Sequence, residues 1–261
     1  MKSLIVANWK CNPTSLKKAK RLFNLIKKGI KSIKNTEVVI CPSFVHIPIL
    51  GAFVSTRQKA SFCRLALGSQ DCFWEGKGAF TGEISPLMLK DLGCRYVILG
   101  HSERRKYLIE TDEMINKKMK KVLEFGLKSI ICIGEKKGEG FDILKSQLQN
   151  GLKGISKKNI KNIIVAYEPI FAIGTGKSCS LDKVLSVSLF IRKMIYKKYG
   201  RTAAENLKIL YGGSINKENA KSYITEAGVN GLLVGGASLK ADEFVAIAKR
   251  CGIRTKISKI S

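Results

Sequence analysis

Asn162-Ile163-Ile164-Val165-Ala166-Tyr167-Glu168-Pro169 is the stretch that decides how this chain folds. Its apolar residues follow one another without alternation and three in a row are β-branched, the pattern of a strand buried on both faces. Such strands belong to parallel sheets covered by helices. Pro169 has no N–H to give and keeps Glu168 out of the helical region, so a carboxylate stands where the strand stops. Ile170-Phe171-Ala172-Ile173-Gly174-Thr175-Gly176-Lys177 follows, apolar at first and then rich in glycine. An apolar loop between a proline and a glycine hinge reads in two ways. It is either a lid that closes over something, or an ordinary strand-to-helix connection with one solvated glutamate.

The same alternation runs outward in both directions. Strands are predicted at Leu4–Trp9, Glu37–Cys41, Leu65–Gly68, Tyr96–Gly100, Ser129–Gly134, Asn162–Glu168, Leu207–Tyr211 and Gly231–Val234. Helical spacing predicts a helix after each, at Ser15–Ile33, Ile47–Val54, Pro86–Leu92, Glu113–Phe125, Phe141–Leu152, Leu181–Tyr199, Asn216–Ile224 and Ala241–Ala248. Eight α/β units without a Pro-, Gly- or Ser-rich linker predict one closed parallel (β/α)8 barrel, residues 1–261 forming a single domain. The basic residues from about 252 to 261 read as a poorly ordered tail. An open doubly wound sheet would offer Gly-x-Gly-x-x-Gly after its first strand; here the turn reads Trp9-Lys10-Cys11-Asn12.

Composition narrows the class. No apolar run reaches the ~18 residues a membrane span needs. The opening Met1–Trp9 has one basic residue and then a strand, too short for a signal peptide's apolar core, so the expected compartment is the cytoplasm. Eight cysteines make no Cys-x-x-Cys pair and only two histidines exist to help them, so reduced, mostly buried thiols and no metal site are expected. Lys+Arg 47 against Asp+Glu 20 gives a formal charge of +27. The lysines, Lys17, Lys18, Lys20, Lys117, Lys118, Lys120 and Lys121 among them, are scattered over almost every helix. That scatter argues for a solvated exterior and against nucleic acid or an anionic membrane as partner, while still steering an anionic substrate.

In a barrel of this type the site lies at the carboxyl ends of the strands. Those ends carry Asn8 and Lys10, His101, Glu168, Gly212-Gly213-Ser214 and Gly235-Gly236. The glycine turns after strands seven and eight let backbone N–H groups approach an anion, and a phosphate is the expected ligand. Lys10 is either a rim lysine or a partner for that anion. His101 is either structural or a neutral imidazole that donates to a carbonyl. Glu168 is either an ion-pair partner or a base. Glu103 is either a helix-start carboxylate or a neighbour that supports Lys10.

Asn8-Trp9-Lys10, Gly78-Ala79-Phe80-Thr81-Gly82-Glu83, Gly100-His101-Ser102-Glu103-Arg104-Arg105, Tyr167-Glu168-Pro169, Ala172-Ile173-Gly174-Thr175-Gly176-Lys177, Tyr211-Gly212-Gly213-Ser214 and Leu233-Val234-Gly235-Gly236-Ala237-Ser238 resemble the signatures of the triosephosphate isomerase family. They occur in its order, and the resemblance runs from Leu4 to about Cys251. It implies a TIM barrel without cofactor or metal that interconverts dihydroxyacetone phosphate and D-glyceraldehyde 3-phosphate, in glycolysis and gluconeogenesis. It further implies Glu168 as the base, neutral His101 as the electrophile, and Asn8 and Lys10 stabilising the enediolate. Gly174, Ser214, Gly235 and Gly236 match the phosphate-binding positions, and the segment Pro169 to Gly176 matches the lid. A homodimer is implied through the loop 70–83, with Thr81 near the partner's site. Asp71 and Cys11 depart from the usual Asn and Met, and Phe171 stands where Trp is frequent. Two other readings compete: another phosphate-handling barrel enzyme, and a non-catalytic basic protein that binds polyanions.

Overall fold

The computed structural model describes residues 2–54, 64–172, 176 and 178–252. Eight strands, β1 (Ser3–Asn8), β2 (Thr36–Cys41), β3 (Arg64–Ser69), β4 (Cys94–Leu99), β5 (Lys128–Ile133), β6 (Ile163–Tyr167), β7 (Lys208–Tyr211) and β8 (Gly231–Val234), close into one parallel barrel. Each pairs with the next in sequence, and β1 pairs with β8 from Leu4 opposite Gly231 to Ala7 opposite Val234. The closed sheet has no edge, so no strand offers unpaired backbone to another chain.

Period-two side chains divide these strands between two cores. Val6, Val39, Ala66, Ile98, Ile130, Ala166, Leu210 and Leu233 fill the barrel interior, while the alternate residues Ile5, Val38, Ile40, Val97, Ile131 and Val165 pack outward under the helices. This explains why β6 reads as continuously apolar: all five of its residues are buried.

The outer layer is α1 (Leu16–Gly29), α2 (Ile47–Gly51), α3 (Pro86–Asp91), α4 (Ser102–Tyr107), α5 (Asp112–Glu124), α6 (Phe141–Gly151), α7 (Leu181–Tyr199), α8 (Arg201–Asn206), α9 (Ala220–Thr225) and α10 (Ala241–Gly252). Among the described residues no helix is long and apolar enough to cross a membrane. Helix α1 shows how sequence sets an element. Ala19, Leu22, Phe23 and Ile26 bury one face, and the Ser15 hydroxyl caps the start by accepting from Lys18 N–H. It stops at Gly29, four residues short of the Ile33 expected from spacing, because the chain turns at Ile30 to feed β2.

Three further departures matter. Two short helices, α4 and α8, join the predicted eight, the first directly behind β4. Helix α10 continues through Arg250 to Gly252, since Phe244, Ile247, Ala248 and Cys251 keep one face buried; residues 253–261 of the expected tail lie outside the described residues. Lys118, expected on the solvated exterior, is buried. Six of the seven described cysteines are buried, all seven are free thiols, and Cys11 is exposed; Cys63 lies outside the described residues. Burial pushes the Cys94 and Cys251 thiols up to about 12.

Candidate active site

Lys10 follows β1 with φ +54, in the left-handed region that a lysine rarely enters. Its ammonium reaches across the barrel mouth to Glu103 Oε1 at 2.5 Å. It also lies over Gly235: a Cβ there would stand 3.4 Å from Lys10 Cε and 3.8 Å from Nζ. Asn8, buried at the end of β1, accepts the Lys10 N–H through Oδ1 at 3.1 Å.

His101 leaves β4 and caps α4. Its Nδ1 accepts the Glu103 backbone N–H at 3.2 Å, so that nitrogen presents a lone pair and the proton of a neutral ring sits on Nε2. The Glu103 carboxylate stands 3.6 Å from the same Nδ1, too far for a hydrogen bond that would reverse this assignment. Nε2 points at Glu168 Oε1, 3.2 Å away.

Glu168 sits one residue past β6, where the backbone N–H still pairs with Ile133 O at 2.8 Å. The residue is only 2% exposed. Oε2 accepts Ser102 N–H at 3.4 Å, the first amide of α4, and the Cys132 thiol of β5 lies within reach of the carboxylate's charge. Burial first, then the Glu168 charge, push that thiol well above its ordinary range. Gly212 makes room for the carboxylate arm: a Cβ there would stand 2.8 Å from Glu168 Cγ. Among the described residues no lysine or arginine pairs with Glu168, and its carboxylate is met by the His101 ring and the Ser102 N–H.

The segment after Pro169 begins with a 3-10 turn, Ile170–Ala172, whose first N–H donates to Glu135 O. Ser214 Oγ, after β7, donates to Ala172 O at 2.8 Å. At the far end, Cys179 N–H donates to Tyr211 Oη at 3.0 Å and Cys179 O accepts from Tyr223 Oη at 2.6 Å. Gly174, expected to bind phosphate, lies outside the described residues. Gly236 opens the 3-10 turn Gly236–Leu239 beyond β8. Thr81 is exposed on the loop after β3 and is not among the contacts that join Lys10, Glu103, His101 and Glu168.

Beneath α4 lies a buried ionic cluster that sequence reasoning did not find. Lys118 donates to both oxygens of Asp71, at 3.0 and 2.8 Å, and pairs with Glu110. Arg104, from the helix that carries Glu103, reaches Asp71 Oδ2 at 2.8 Å. The cluster thus ties α4 to α5 and to the β3 end. Two cations facing two carboxylates make it neutral, and burial still pushes Asp71 up to about 6, against the pull of Lys118 and Arg104 and with the help of Glu110. A carboxyl that holds its proton more tightly when folded stabilises the protein below its unfolded value, near 4, and loses that contribution as pH rises past 6. Asp71→Asn has no such titration. Urea unfolding at pH 4.5 and pH 7.5 is therefore expected to show the variant gaining on the parent by about 2 kcal/mol between the two. Parallel pH curves would reverse the assignment.

A profile of the triosephosphate isomerase family matches residues 3–251. A triosephosphate isomerase of Alkaliphilus oremlandii is 45% identical over 251 residues, covering 94% of this chain and 98% of its own length. One from Dictyoglomus thermophilum is 41% identical over 253 residues, covering 95% and 99%. One from a Thermoanaerobacter species is 43% identical over 249 residues, covering 94% and 97%. A match this long takes in every strand end that meets at the mouth of this barrel, and the chain belongs to the triosephosphate isomerase family.

Proposed function

We propose that the chain catalyses the isomerisation for which its family is named, between dihydroxyacetone phosphate and D-glyceraldehyde 3-phosphate, as a step of glycolysis and gluconeogenesis. The observation that carries this reading is the run of contacts Lys10–Glu103–His101–Glu168, which joins three strand ends in one mouth. Glu168 takes the proton from the carbon beside the carbonyl and returns it to the neighbouring carbon. Nε2–H of His101 donates to the carbonyl oxygen as negative charge gathers there, gives that oxygen its proton and takes the proton of the neighbouring hydroxyl in return, so the two oxygens exchange roles and the ring ends the turnover neutral. Lys10 and Asn8 stabilise the enediolate, with Glu103 holding the ammonium in place between turnovers. The phosphate binds at Gly174, Ser214, Gly235 and Gly236, and closure of Pro169 to Gly176 keeps water from the enediolate. No metal or cofactor enters this scheme.

The chain is read as one domain over residues 1–261, active in the cytoplasm as a homodimer. Support for the dimer comes from the loop after β3, where Phe73 makes tilted ring contacts with Trp74 and Phe80 while Phe80 stays 42% exposed, with Leu87 and Met88 exposed just beyond. Apolar surface of this kind marks an interface. Thr81, at that loop's tip, is placed against the partner's site by this reading. Purified protein in a coupled assay with glyceraldehyde 3-phosphate tests the activity, and absence of turnover would refute it. Sedimentation at micromolar concentration tests the dimer, and a monomer with full activity would refute the part given to the loop.

A further inference from the structure

Strands β1, β4, β6, β7 and β8 supply every group in the chemistry proposed above, while β2 and β3 supply none. Both end beside Lys10. Ser43, two residues past β2, donates its hydroxyl to Lys10 O at 3.0 Å. Gln70, the residue after β3, donates Nε2–H to the same oxygen at 2.8 Å and to Cys41 O at 3.0 Å. Both partners of the Gln70 amide are carbonyls, so its NH2 group, not its oxygen, must face them. With Asn8 Oδ1 on the Lys10 N–H, both backbone polar groups of Lys10 are bound by side chains. This is the residue held at φ +54, a conformation that persists only when its surroundings over-determine it.

We infer that Gln70 and Ser43 are positioning residues for the reaction, a carbonyl clamp that keeps the Lys10 backbone left-handed and so aims its ammonium across the mouth at Glu103 and the Gly235 turn. The inference rests on the reading of Lys10 given above. Without the clamp the backbone relaxes toward negative φ and the ammonium swings away from the bound anion. Displacements of this order at a catalytic group cost one to two powers of ten in rate.

Gln70→Met keeps the length of the side chain and removes both donors. Its kcat/KM is expected to fall on the order of thirtyfold. In a Lys10→Ala background the same substitution is expected to cost less than about threefold, since the clamp then has nothing to aim. A merely structural role would cost the same factor in both backgrounds, and that result would overturn the clamp, as would an active Gln70→Met enzyme. If Lys10→Ala alone retains near-parental activity, the reading of Lys10 falls first, an outcome distinct from either. Ser43 gives an independent arm should Gln70→Met fail to fold. Ser43→Ala is expected to lose about fivefold, and Ser43→Thr, which keeps the hydroxyl, to recover most of it; equal losses in the two would also overturn the clamp.

Discussion

Glu168→Asp is expected to lower kcat by at least about a hundredfold while KM moves by less than about threefold. The acid is kept and so is the charge; only one methylene is lost. In the parent the carboxylate reaches over Gly212 to meet His101 Nε2 at 3.2 Å and Ser102 N–H at 3.4 Å. In the proposed reaction, shortening the arm draws the oxygens back from the carbon to be deprotonated, while the phosphate-binding turns proposed after β7 and β8 are untouched. The loss therefore belongs to the transition state rather than to the bound substrate. Steady-state kinetics in both directions check it. Turnover within a factor of about three of the parent would remove Glu168 as the base.

The barrel is legible in the sequence for a simple physical reason. Strands buried on both faces must be apolar without interruption, and Ile163 to Tyr167, Leu4 to Ala7 and Ile130 to Ile133 all read that way. The meeting of these positions is legible because a barrel gathers its strand ends, so residues as distant as Lys10 and Glu168 are candidates for one site before any distance is known. Helix α4 is harder to see. None of its residues is buried, so it has no apolar stripe, and its only signals are the His101 cap and a carboxylate in the first turn. Lys118 hides among Lys117, Lys120 and Lys121, since nothing in a run of lysines tells which of them turns inward to meet Asp71 and Glu110. The far end of α10 was readable: Cys251 continues the spacing of Phe244, Ile247 and Ala248, and basic neighbours mask it.

Gln70 and Ser43 were beyond sequence reasoning for a different reason. Their partners are backbone carbonyls, which every residue has, so no pairing of side-chain types announces the contact. The same holds for Gly212. Two glycines before a serine suggest a phosphate turn, and only the 2.8 Å approach of Glu168 Cγ reveals that the first also makes room for the base.

His101→Asn separates the two tasks of the imidazole, and a loss of two to three powers of ten in kcat is expected with little change in stability. The ring caps α4 through Nδ1, which accepts Glu103 N–H, and in the proposed reaction Nε2–H is the donor to the carbonyl oxygen. Asparagine is among the preferred residues at a helix start, and its Oδ1 can take over the Glu103 N–H. Its amide hydrogens, however, stand short of where Nε2 stood, so the donor facing the substrate is withdrawn. Thermal unfolding should then show a midpoint within a few degrees of the parent, which places the loss in chemistry and not in folding. If His101→Asn kept most of the parental kcat, the imidazole would be a helix cap and nothing more, and the electrophile would have to be sought in the Lys10 ammonium alone.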